Sequence, residues 1–139
     1  MIIVDTNVLS ELMRREPSPV VIAWVEAQAG TSLFTTTITQ AEIFYGIRVL
    51  PAGKRRDEIE MSAREMFSTD FIGRVLPFDE DAAYAYAEIA SARRQEGHPI
   101  SQFDAQIAAI SQSRDSILAT RNTPDFEGCG IQLVDPWGA

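Results

Sequence analysis

Cysteine is almost missing from this chain: Cys129 is the only one in 139 residues, so no internal disulfide can form and no cysteine-built zinc cluster is available. A reducing compartment fits that usage. Histidine is as scarce, with His98 alone, which excludes catalysis by a pair of histidines acting as general acid and base. No apolar run approaches the length of a membrane span, and Met1 leads directly into a strand without a basic and then apolar leader, so a soluble cytoplasmic chain with no membrane contact is expected. Positive charge is also short, at 12 Lys and Arg against 20 Asp and Glu, a formal net charge of −8. That balance argues against a broad basic surface and against sequence-specific DNA binding by this chain alone. An acidic surplus is nevertheless what carboxylates converging on a divalent cation produce, because the ion offsets charge that the formal count includes.

What is present is globular in kind, 45% hydrophobic and 23% charged, and long enough to bury a core as one domain over residues 1–139. Ile2 to Val4 form a continuous apolar run of the sort covered on both faces in a parallel sheet. Asn7 is placed to cap a first helix that stops near Arg14 and Arg15, and a second helix follows Pro19 and ends at Gly30. SLFTTT reads as a strand, a helix opens at Thr39 and runs through Ile43, Ile47 and Leu50, and a solvated helix of mixed charge follows Gly53. RVLPF is a third strand. A long helix spans Asp79 to Gln95 before Gly97. Ser101 caps the next, whose apolar face holds Phe103, Ile107, Ala108 and Ile110. SILAT and IQLV supply a fourth and a fifth strand. Strands separated by helices predict an α/β three-layer sandwich around a mostly parallel sheet, with ligands bound beyond the carboxyl ends of the strands.

Several acids are awkwardly placed for that architecture. Asp5 ends the first strand, Glu42 and Asp104 lie one turn into amphipathic helices, and Asp125 follows the fourth strand, with Asn122 just beyond its end. Carboxylates gathered at one crevice are tolerable when protonated, paired with bases or joined by a cation, and an all-oxygen set suits Mg²⁺ or Mn²⁺. Structural readings stand beside the functional ones. Asp5 can cap the first helix, Thr39 with Glu42 and Ser101 with Asp104 both match a capping box, and Asp125 can place charge in the first turn of a short helix.

The motifs IIVDTNVLSEL, TITQAEIFYGI, PFDEDAAYAYAEI, ISQFDAQIAAI, LATRNTPDFEG and VDPW together resemble the PIN-domain ribonucleases, in particular the VapC and FitB type toxins of bacterial toxin–antitoxin pairs. The resemblance implies a compact five-stranded α/β fold and a Mg²⁺-dependent endoribonuclease (Mn²⁺ as a possible substitute), with a cognate antitoxin and a homodimer as partners. By motif, Asp5, Glu42 and Asp104 match the principal acidic residues and metal ligands. Asn122 stands where some members carry aspartate, and Asp125 is the carboxylate available to replace it. Thr6, Asn7 and Thr120 are implied as donors that orient the carboxylates, and Arg121 as an RNA contact. The implied reaction is attack by an activated water, leaving 5′-phosphate and 3′-hydroxyl ends, with Glu42 holding or deprotonating that water. Further phosphate-binding candidates are Arg14, Arg15, Lys54, Arg55, Arg56, Arg93 and Arg94.

Two other classes fit parts of the pattern. A Mg²⁺-dependent phosphotransfer or phosphatase-like domain also ends its first strand on an acid, but Asn7 stands where haloacid-type phosphatases need aspartate and no lysine follows Lys54. A degenerate, non-catalytic module that binds RNA or a partner is the other, and Asn122 is the residue that favours it.

Overall fold

The apolar run at the start becomes β1 (Ile2–Val4), the middle strand of a five-stranded sheet in the order β3-β2-β1-β4-β5. In the computed structural model, which describes residues 1–138, every strand pairing is parallel. The other strands are β2 (Leu33–Thr36), β3 (Val75–Leu76), β4 (Ile117–Ala119) and β5 (Gln132–Val134). Six helices flank them: α1 (Thr6–Leu12), α2 (Pro19–Ala27), α3 (Thr37–Arg48), α4 (Lys54–Glu65), α5 (Glu80–Gln95) and α6 (Gln102–Ser113). None of the described helices is long and apolar enough to cross a membrane.

Alternation along the strands divides the core in two. Ile3 and Leu118 point to one face, under the inner sides of α5 and α6, which supply Ile89, Ile107 and Ile110. Val4 and Ala119 point to the other, where Val8, Leu9, Val21, Ile43 and Phe67 gather. Sheet order reverses between β1 and β4, since the chain runs outward through β2 and β3 on one side and β4 and β5 on the other. A crevice opens at the carboxyl ends of strands at such a point. Asp5 and Thr120 each follow directly on one of these two strands.

Several local details differ from the sequence reading. Asp5, not Asn7, caps α1, its Oδ1 accepting from the Thr6 N–H at 2.8 Å. The helix is closed at Leu12, before the two arginines. Helix α2 ends at Ala27, and Gly30 opens a short 3₁₀ turn into β2. Helix α3 starts at Thr37 because Thr36 caps it, its hydroxyl accepting from the Thr39 N–H at 3.0 Å, and it ends at Arg48, short of Leu50. Phe103 is 53% exposed and does not share the buried face of α6. Gly97, at φ 79°, does occupy the left-handed position after α5 that glycine takes without a Cβ penalty.

Candidate active site

A cleft of about 490 Å³ opens at the reversal point, lined by Asp5, Glu42, Asp104, Asn122, Arg121 and Trp137 among others. Each carboxylate reaches it from a different element, as the end of β1, the second turn of α3 and the first turn of α6. The early shift in α3 matters here. With Thr36 as cap, Thr39 is a donor inside the first turn and Glu42 is not the closing half of a Thr39 capping box. Ser101 does cap α6, accepting from the Asp104 N–H at 3.2 Å through its hydroxyl.

Asp5 is the buried member, 4% exposed. Its Oδ1 takes the Thr6 N–H, and its Oδ2 takes the Thr120 hydroxyl at 2.8 Å and the Asn7 amide at 3.3 Å. Asn7 also donates to Thr120 Oγ1 at 3.2 Å, and its own Oδ1 accepts from the Arg121 N–H at 3.2 Å, which ties the segment after β4 to that after β1. Glu42 is half-buried and receives the Thr6 hydroxyl on Oε1 at 2.8 Å. The Thr6 hydroxyl also lies 3.1 Å from Thr39 Oγ1. Thr6, Asn7 and Thr120 therefore stand between the carboxylates as hydrogen-bonding props.

Electrostatics in the cleft favour protons or a cation. Desolvation raises the Asp5 pKa from 3.8 to about 6, against the lowering pull of Thr120 and Thr6, and the charges of Asp104 and Glu42 add to the rise. Burial likewise pushes Glu42 up, with Asp104 contributing, and pushes Asp104 up, with the charge of Asp125 contributing. All three carboxyls thus bind protons more tightly than in water. The donor set is all oxygen, which fits a hard divalent ion. Among the described residues, no group of three or more Asp, Glu, His or Cys side chains is close enough together to hold an ion unaided. A Mg²⁺ ion held here would therefore need water ligands beside the carboxylates, since the side chains form no closed protein cage.

The remaining sequence candidates separate. Asn122 lines the cleft, and its N–H donates to Thr120 Oγ1 at 3.1 Å. Asp125 is exposed and does not line it, acting on Asp104 only through its charge. Arg121 stacks over the Trp137 ring, 5.0 Å from its centroid. Arg93 is not a phosphate contact: it is 7% exposed, and its guanidinium donates to the carbonyls of His98, Asp125 and Glu127 at 2.7, 2.8 and 2.9 Å. Three cleft residues escaped the sequence reading as site members: Ser10, Glu11 and Trp137. Ser10 is exposed on α1. Glu11, also in the lining, is buried in an apolar stretch and accepts from the Ser18 N–H at 2.9 Å. That bond and Arg14 hold its pKa below the usual carboxylate value. A carboxylate inside VLSELM was the available signal.

The PIN domain family model matches residues 2–127. The chain is 42% identical to plasmid stability protein StbB of Pseudomonas syringae pv. tomato, covering 100% of both chains. It is 39% identical to VapC ribonuclease Y4jK of Sinorhizobium fredii, over 99% of this chain and 98% of that one. The crystal structure of FitAcB from Neisseria gonorrhoeae superposes with a TM-score of 0.93 at 34% identity, covering 100% of each chain.

Proposed function

The chain belongs to the PIN domain family, and from that premise we propose that it is a divalent-metal-dependent endoribonuclease, the toxin of a toxin–antitoxin pair, hydrolysing RNA phosphodiester bonds in the cleft described above. The relative named as a VapC ribonuclease supports the nuclease class. The observation that carries the reading is the convergence of Asp5, Glu42 and Asp104 at one reversal point of the sheet, each with its proton affinity raised.

Asp5 and Asp104, with Glu42 beside them, are the residues to hold Mg²⁺ or Mn²⁺. When bound, the ion supplies Lewis-acid polarisation of the phosphodiester and lowers the pKa of water. The protein does the rest. Thr120, Asn7 and the Thr6 N–H fix both oxygens of Asp5, so that the carboxylate cannot rotate away from the cleft. The Thr6 hydroxyl holds Glu42 Oε1, leaving Oε2 to accept a proton from the attacking water, and burial makes Glu42 a stronger base than an ordinary carboxylate. Attack by water leaves 5′-phosphate and 3′-hydroxyl ends. Arg121 at the rim is placed for a substrate phosphate. An antitoxin segment would dock on the 710 Å³ groove lined by Leu9, Leu12, Met13, Val25 and Phe71. Exposed Tyr45 on α3 and Val49 just beyond its end would serve a homodimer.

The test is cleavage of a mixed RNA pool by purified protein, titrated with EDTA and then Mg²⁺, with the cut ends sequenced. Asp5→Asn and Asp104→Asn should nearly abolish cleavage while circular dichroism stays unchanged. Unfolding of both variants would instead mean that the acids are needed for the fold rather than for the reaction. The second reading, a non-catalytic RNA- or partner-binding module, is favoured by Asn122 in the cleft and by the lack of a ready-made three-carboxylate group among the described residues. Binding of RNA without divalent-dependent cutting would select it.

A further inference from the structure

We infer that the basic groove between the end of α1 and the start of α4 is a phosphate track that carries single-stranded RNA away from the cleft. The inference rests on the ribonuclease reading and adds a substrate surface to it. The groove, about 700 Å³, is lined by Arg14, Arg15, Lys54 and Arg55, with Glu58 the acid among them. Four of the 12 basic residues in a chain of net charge −8 thus share one depression.

Local structure accounts for only half of them. Arg14 and Arg15 follow the carboxyl end of α1, where a cation suits the helix dipole. Lys54 and Arg55, however, open α4, and Arg56 comes next, so three cations precede the one acid of the first turn, Asp57, in a helix whose cap, Gly53, has no side chain to offer. That arrangement works against the helix and invites an external anion. Nor are the charges neutralised internally. Lys54 lies 3.9 Å from Glu58 with the two side chains 90% and 65% exposed, a pair of little worth. Arg15 and Arg55 have no carboxylate within 4.0 Å among the described residues.

Continuity with the cleft selects the ligand. Arg14 lines both the groove and the acid cleft, and its side chain remains 67% exposed despite its contact with Glu11. An RNA strand cut in the cleft must have neighbouring phosphates, and three carboxylates repel them. The strand therefore needs cations just outside, and the groove that begins at Arg14 provides them. Such contacts carry no base specificity and act on every sequence alike.

The test compares wild type with the Arg15→Ala/Lys54→Ala/Arg55→Ala variant, whose substituted side chains are all exposed. Binding of a labelled single-stranded RNA of about a dozen nucleotides is followed by anisotropy in EDTA, and cleavage of a trinucleotide is followed in Mg²⁺. Losing about three phosphate contacts at roughly 0.7 each should flatten the slope of log affinity against log salt by about 2. Raising salt from about 50 to about 200 mM should then weaken wild-type binding roughly 20-fold more than it weakens the variant. Trinucleotide cleavage should be unchanged. Equal affinities and slopes, with wild-type cleavage intact, overturn the track and leave the nuclease reading standing. If the variant binds RNA normally but loses an acidic protein partner, the groove is a protein interface and the track is likewise overturned. Wild type that neither binds nor cuts RNA sinks both readings.

Discussion

Thr120 grips Asp5 across the reversal point of the sheet, its hydroxyl donating to Oδ2 at 2.8 Å from a side chain that is wholly buried. A hydrogen bond to a buried carboxylate stabilises the charged form, and here it opposes the desolvation that raises the Asp5 pKa to about 6. Thr120→Val keeps the shape and removes the donor. The Asp5 pKa should move further up, the acidic limb of the pH–rate profile should shift toward higher pH, and stability should fall by about 1–3 kcal/mol. Thr120→Ser should restore all three. A profile unmoved by the valine variant would disconnect Thr120 from the reacting group.

Asp5 also sets a stability trend. Its folded pKa, about 6, lies above the 3.8 of a free aspartate, so the folded state holds the proton more tightly between those limits. Stability from this group is full below about 4 and is lost as pH rises through 6, a difference of roughly 3 kcal/mol. Raised values at Glu42 and Asp104 act in the same direction. In EDTA, urea unfolding of wild type should therefore weaken from pH 5 to pH 8, and Asp5→Asn should remove much of that slope. Added Mg²⁺ should restore wild-type stability at pH 8 and leave the asparagine variant little changed, because the ion relieves a repulsion that variant has already reduced.

The sheet and its helices were legible because their signals are local and repeated: an apolar run for β1, helical spacing for α6, and glycine after α5. The meeting of Asp5, Glu42 and Asp104 at the strand ends followed once a parallel sheet was assumed, since ligand sites lie there in such folds. Less legible were choices between near-equivalent caps. Thr36 and Thr39 both sit in a run of threonines, and only backbone geometry decides which hydroxyl takes an N–H. Arg93 read as a phosphate-binding candidate because nothing in its neighbourhood along the chain announces the carbonyls of Asp125 and Glu127, 32 and 34 residues away. Trp137 was hidden for the same reason, its partner Arg121 being brought to it by folding.

Arg93 should prove structural rather than substrate-binding. Its guanidinium serves three carbonyls in the 98–127 region and contacts Cys129 Sγ at 3.5 Å, pinning the segment after β4 against α5. Arg93→Met would strand those acceptors in a buried site, at a cost of about 3 kcal/mol. For a domain of this size the midpoint of thermal unfolding should drop by roughly 10 °C. RNA affinity of the remaining folded protein should be unchanged. A loss of affinity without a loss of stability would return Arg93 to the phosphate-binding set.

Glu42 is expected to govern the chemical step and Thr6 to govern Glu42. Glu42→Gln should lower kcat by about 10²–10⁴, the usual worth of a positioned base, with little change in KM. Thr6→Val removes the donor 2.8 Å from Oε1, so it should cost less, with the basic form of Glu42 reached only at higher pH. A serine in place of Thr6 should recover the profile, which a simple packing defect would not explain. Single-turnover rates in saturating Mg²⁺ separate this from weaker ion binding.

Trp137 holds the one rim cation that also belongs to the segment carrying Asn122. The Arg121 guanidinium lies 5.0 Å from its ring centroid, a contact worth about 0.5–2 kcal/mol depending on how dry it is. Without the ring, the long Arg121 side chain would sample many rotamers and would lose that entropy again each time it met a phosphate. Trp137→Ala should therefore raise KM about 3- to 10-fold and leave kcat nearly intact, the pattern of lost uniform binding. Trp137→Phe should lie between, because a phenyl ring offers a weaker face to the cation. Arg121→Ala should match Trp137→Ala in the steady state, and the double variant should add little, since both substitutions remove the same contact. Additive losses in that double-mutant cycle would show that ring and cation act separately, and the stacked pair would then have no part in placing the charge.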